Sequence, residues 1–152
     1  MKEYDQIVKL ADEALEIADQ RTEHIDKEKE SIEESEKEFK NVAGIIEEIK
    51  DAELKQQAIQ LQSTMEERYQ IHGELYKNYK QGLQYDKELY EMLKDKELSF
   101  EKLEEQINKV NQVYETVLNK NQEFNEKTDQ YNKEKMDFYK KAGIEVSTED
   151  KK

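Results

Sequence analysis

Cysteine is absent from the 152 residues, which removes disulfides, thiolate metal ligands and cysteine nucleophiles together. Proline is absent as well, so no residue forces a helix to stop or kink. Only four glycines are present, too little material for a phosphate-cradling loop, and tryptophan is missing altogether. No apolar run reaches membrane-spanning length, and Met1-Lys2-Glu3-Tyr4 leads directly into an amphipathic pattern without a signal-peptide core. Basic residues are outnumbered, 25 Lys and Arg against 38 Asp and Glu, for a net charge of -13. Every run of them is interleaved with carboxylates. A nucleic-acid binder needs a basic face to displace counterions from phosphates, so nucleic acid is excluded as a partner, and the same repulsion opposes adsorption on anionic lipid.

What the chain does have is periodicity. With 41% of residues charged and 34% apolar, a thick globular core is out of reach, and a thin elongated one fits. Tyr4, Ile7, Ala11, Ala14, Ala18, Arg21, Ile25, Glu28, Ile32, Ser35, Phe39, Val42, Ile46 and Ile49 keep an alternating three-and-four spacing, the mark of a helix packed along one seam. This predicts a first helix over about residues 2–49, which carries 16 acidic and 7 basic side chains. Asp51 is placed to cap a second helix over 52–94, whose inward register runs from Leu54 through Tyr69, His72, Tyr79, Leu83 and Asp86 to Leu93, with Leu75 and Leu89 widening the stripe. Ser99 is placed to cap a third over 100–142, with Phe100, Leu103, Ile107, Val110, Tyr114, Val117, Asn121, Phe124, Thr128, Tyr131, Lys135, Phe138 and Ala142 facing inward. Gly143 suits a left-handed helix end, with Ile144 folding back on Tyr139.

Short connections force neighbouring helices antiparallel, so the expected fold is all-α: an elongated up-down-up three-helix bundle over 1–144, spectrin-like, with a frayed polar tail over 145–152. Helices of this length make a rod roughly 65 Å long. A homodimer through the acidic first helix is electrostatically opposed, which predicts a monomer.

Chemistry is mostly excluded. His24 and His72 are the only imidazoles, and neither belongs to the Glu-x-x-His pairs of di-iron bundles or to a zinc-protease pattern, so neither a metal nor a cofactor is expected. The expectation is a non-enzymatic protein. Counting levels along the three helices puts Arg21 beside Tyr79 and Asn121, Glu28 beside His72 and Thr128, and Ser35 beside Arg68 and Lys135. The candidate interior polar layer is therefore Arg21, Glu28, Arg68, His72, Asn121 and Thr128. Such layers fix helix register at some cost in stability. A sharper alternative is a small internal site for an ion or ligand around Glu28 and His72. Nine tyrosines are the other conspicuous feature. Tyr69, Tyr76, Tyr79 and Tyr90 form a candidate aromatic contact surface, against the plainer alternative of core rings with their hydroxyls at the rim.

At Glu74-Leu75-Tyr76-Lys77-Asn78-Tyr79, Asp86-Lys87-Glu88-Leu89-Tyr90-Glu91-Met92-Leu93-Lys94-Asp95, Leu98-Ser99, Asn121-x-x-Phe124-Asn125 and Phe138-Tyr139-Lys140-Lys141-Ala142-Gly143, the sequence resembles the YkyA-type cell-wall-binding lipoproteins of low-GC Gram-positive bacteria. The likeness extends across nearly the whole chain. It implies an extracytoplasmic helical body held at the membrane by a lipid on an N-terminal cysteine, with cell-wall polymer as partner; the alternative is a protein-protein interaction scaffold at the cell envelope that docks an envelope protein without touching glycan. The chain itself has neither that cysteine nor a lipobox, so any membrane attachment rests on an anchor outside these residues. The resemblance supplies no catalytic or binding residues.

Overall fold

The computed structural model describes residues 2–145 and contains four helices: α1 (Lys2–Phe39), α2 (Val42–Glu47), α3 (Ala52–Met92) and α4 (Phe100–Ala142). No strand is present among the described residues, and the long helices pack as an all-α bundle. The sequence punctuation explains where they begin and end. The Asp51 carboxylate accepts hydrogen bonds from the amides of Glu53 and Leu54 at 3.0 and 2.9 Å, and Ser99 Oγ accepts one from Lys102 at 3.4 Å. Each satisfies amides that a first helical turn leaves without partners. Gly143 sits at φ 70°, the left-handed region that costs glycine little, and lets the Ile144 amide donate to the Tyr139 carbonyl at 2.9 Å. Asp51→Ala is expected to cost about 1 kcal/mol, read as a lower urea midpoint at unchanged slope.

The first helix is shorter than its periodicity suggests. It ends at Phe39, and the chain resumes as the short α2. At the join the Asn41 amide donates to the Glu38 carbonyl, three residues back rather than four, while Asn41 stays right-handed at φ -70° and ψ -17°. The tightened turn offsets the path without reversing it, and Ile46 is buried, with Val42 and Ile49 half-buried. Of the tail expected over 145–152, all but Glu145 lies outside the described residues.

α3 is the central element: α4 packs along it, α1 and α2 pack on it, and α1 and α4 barely approach each other. Two ladders of ion pairs mark the register. Asp12, Asp19 and Asp26 of α1 meet Lys94, Lys87 and Lys80 of α3, each rung seven residues from the next on both helices and running in opposite directions. On the other flank Glu74, Glu67 and Glu53 of α3 meet Lys120, Lys127 and Lys141 of α4, again in opposite directions, with the last rung two heptads beyond the second. At Lys80 the Asp26 carboxylate and then the Tyr76 hydroxyl push the ammonium up to about 12. Exposed rungs contribute little each, but a slip of one helix by a heptad leaves an end rung unpaired, and smaller slips misalign them all.

The core is thin. Ala11, Ala18, Ala58, Leu75, Leu83, Val113 and Val117 are buried, and Leu83 is the most enclosed apolar side chain at 1% exposed. In the first half of α4 the inward face differs from the expected one: Gln106 and Val113 are buried, whereas Phe100 is 79% exposed and Ile107 40%. The helix is turned because Gln106 donates to the Tyr85 carbonyl at 2.9 Å and to Glu88 at 3.2 Å, and because Gly82 opens a notch on α3 into which Val113 and Tyr114 fit.

Candidate functional site

Midway along the bundle one residue from α1, two from α3 and one from α4 form a continuous polar network. Arg21 donates through Nε and Nη2 to the Tyr79 hydroxyl at 3.1 and 2.9 Å, and through Nη2 to the Tyr114 hydroxyl at 3.3 Å. Tyr114 donates in turn to the Asp86 carboxylate, which lies 3.6 Å from Arg21 Nη1. The two rings meet edge to face at 6.2 Å, with the guanidinium over both. Burial disfavours the Arg21 charge, but the hydroxyls of Tyr79 and Tyr114 outweigh it and hold its pKa above the ordinary value.

Burial first, and then the bond to Asp86 and its negative charge, push the Tyr114 phenol up against the opposing effect of Arg21. A phenol whose pKa is raised on folding contributes stability that is whole below the unfolded value of about 10 and is lost as pH rises through the folded value. Comparing alkaline tyrosinate titrations of the wild type and Tyr114→Phe is therefore expected to isolate a late step, above about pH 10. That step should accompany loss of helical circular dichroism.

The structure brings most of the polar layer residues together in separate pairs. His72, 2% exposed, lies 3.1 Å from Glu28 and packs edge-on against Phe124. Arg68 donates to Thr128 at 2.8 Å, with its guanidinium 4.3 Å from the Phe124 ring centre. Ser35 meets the Tyr69 hydroxyl at 2.9 Å instead of Arg68 or Lys135. Two members are not interior: Glu28 and Asn121 are exposed, at the edge of an opening between α1 and α4.

Nor do the four tyrosines make one open surface. Tyr69 is buried against Phe39, Tyr79 is engaged by Arg21, and the Tyr76 hydroxyl donates to Asp26 at 2.6 Å, leaving Tyr90 half-buried. Spacing also passed over Thr64, fully enclosed and donating to Glu134 at 2.7 Å. A small polar residue beside an inward stripe carries no periodic signal of its own.

Where α1 and α4 part, a half-open cavity of roughly 370 Å³ forms over Leu75 and Val117, walled by Ile25 and Leu118 and rimmed by Arg21, His24, Glu28 and Asn121. Its apolar floor and sparse polar edge suit an apolar group of a partner better than a reaction. Among the described residues no cluster of three His, Asp or Glu side chains gathers to hold a metal.

An antiparallel helical bundle with a self-paired interior and a cleft on one side defines the class of protein. The family YkyA, described as "Putative cell-wall binding lipoprotein", matches residues 1–141, and the chain belongs to that family. It is also similar to the "Uncharacterized lipoprotein YkyA" of Bacillus subtilis (strain 168), 42% identical over 146 residues that cover 96% of this chain and 66% of the relative. The chain thus spans just under two-thirds of that relative's length. No solved structure matches it. No helix among the described residues is long and apolar enough to cross a membrane.

Proposed function

We propose that the chain is the non-enzymatic helical body of an envelope lipoprotein, presented outside the membrane and binding cell-wall polymer through its surface. The observation that carries the non-enzymatic part is the self-pairing of the interior. Arg21 pairs with Asp86 and Tyr114, buried His72 with the exposed Glu28, Thr64 with Glu134 and Arg68 with Thr128, so the enclosed polar groups are engaged with one another. A general base or nucleophile must instead be free to meet a substrate proton or carbon. Family membership supports the envelope assignment.

Wall contact would fall on the long exposed faces and the aromatic edges of Tyr76 and Tyr90. The net charge of -13 makes divalent cations the natural bridge to anionic wall polymers. Sedimentation with isolated wall sacculi tests this reading: the protein is expected in the pellet with calcium and reduced there with chelator. Absence from the pellet in both conditions removes direct wall binding.

A further inference from the structure

Six large apolar side chains of α1 and α4 are left exposed. Ile7, Leu10 and Ile17 of α1 are 45%, 56% and 56% exposed, and Phe100, Ile107 and Leu118 of α4 are 79%, 40% and 69% exposed. Leu10, Ile17 and His24 are heptad mates, and His24 lines the cavity between α1 and α4, so the α1 stripe runs into that groove. Phe100, Ile107 and Leu118 recur at steps of seven and eleven residues, which return to nearly the same helix face, and Leu118 lines the same cavity. The stripes stay unpartnered because both helices pack on α3 and meet each other through little more than the Arg21 to Tyr114 hydrogen bond.

From Phe100 to Asn121 the groove extends roughly 32 Å, the length of a helix of about 20 residues. Its rims are acidic. Glu3 continues the row of Leu10 and Ile17, Glu104 shares a row with Leu118, Glu115 lies farther along, and Glu28 stays exposed although one oxygen meets His72, while Arg21 in the groove wall is already engaged by Tyr79, Tyr114 and Asp86. A second copy of the chain would set these carboxylates against their own kind, with -13 on each partner.

We propose that the groove between α1 and α4 docks an amphipathic helix of another protein, one whose apolar stripe is flanked by lysine or arginine. Apolar residues at helical spacing fill the seam, as in other helix-in-groove recognition, and the basic flanks meet the acidic rims. The proposal stands apart from wall binding, since the two assays read different ligands.

The test uses the whole chain and two synthetic 20-residue helical peptides with the same leucine stripe, one flanked by lysine and the other by glutamate. Fluorescence anisotropy is expected to show the lysine peptide binding at least tenfold more tightly than the glutamate peptide. Amide chemical shifts should move around Ile17 and Leu118. The double variant Ile17→Gln/Leu118→Gln, which alters exposed positions and leaves the net charge unchanged, should weaken the lysine peptide at least tenfold. Ile59→Gln, exposed outside the groove, should leave it unchanged. Equal binding of the two peptides, or binding indifferent to the double variant, overturns the proposal. So does a concentration-dependent dimer in analytical sedimentation that the double variant disperses, which would make a second copy the occupant.

Discussion

Asp86→Ala is expected to lower stability by about 3 kcal/mol, the low end of what breaking a buried charge pair costs. The carboxylate is 8% exposed and lies against the Arg21 guanidinium, with the Tyr114 hydroxyl bonded to both. Removing it strands the Tyr114 proton in the interior and leaves Arg21 with tyrosine hydroxyls but no counter-charge. The loss stays at the low end because the Arg21 side chain is 39% exposed, and water screens the orphaned charge. For a chain of this size the melting temperature should fall by roughly 6–12 °C. Asp86→Asn keeps an acceptor for Tyr114 and should lose less. The double variant Arg21→Met/Asp86→Leu, with neither charge to bury, should recover much of the deficit. If Asp86→Ala unfolds within about 1 kcal/mol of the wild type in urea, the network contributes no more than an ordinary neutral hydrogen bond.

Much of the fold could be read from residues whose local chemistry is decisive. Asp51, Ser99 and Gly143 mark helix ends because their side chains, or the lack of one, solve a backbone problem at that point. Periodicity supplied the all-α bundle, but it reports which face is apolar and not how far apart two helices stand. For that reason Phe100, Ile107 and Ile7 are expected inside and are instead exposed. The break at Lys40-Asn41 was likewise hidden, since a turn that tightens by one residue and stays right-handed hardly disturbs a three-and-four pattern.

The polar interior was partly legible for a similar reason. Level counting in an antiparallel pair places Glu28 beside His72 and Arg21 beside Tyr79, and the structure brings both pairs within hydrogen-bond distance. It does not reveal which acid answers Arg21. Asp86 lies one heptad from Tyr79 on the same inward stripe, where it faces the Arg21 guanidinium directly and accepts a hydrogen bond from Tyr114 of α4. The two ion ladders were written in the sequence as constant sums of residue numbers, a signal that becomes visible only when the helix offset is known.

α4 seats on α3 at the buried Gly82, and Gly82→Leu is expected to be strongly damaging. A Cβ at this position would come within 3.0 Å of Tyr114 Cζ, 3.2 Å of Cε1 and 3.3 Å of the Val113 side chain. Alanine brings a conflict of sign. Glycine in a helix interior is worse than alanine by up to about 1 kcal/mol, yet the ring that would have to yield is tied to Asp86 and Arg21. Leucine removes the ambiguity, because an isobutyl group cannot share the notch with a ring already in contact with it. Overpacking of this kind costs about 1–3 kcal/mol, and expelling Tyr114 forfeits its bond to a charged acceptor as well, about 1.5–3 kcal/mol more. The expected total is about 4 kcal/mol, a large fraction of the stability of a domain this size. Chemical denaturation of Gly82→Leu and of Gly82→Leu/Tyr114→Ala checks the cause: the second variant, with the ring gone, should lose far less than the two single losses added. Strict additivity of Gly82→Leu and Tyr114→Ala would mean that the notch does not hold the ring, and that something else sets how α4 lies on α3.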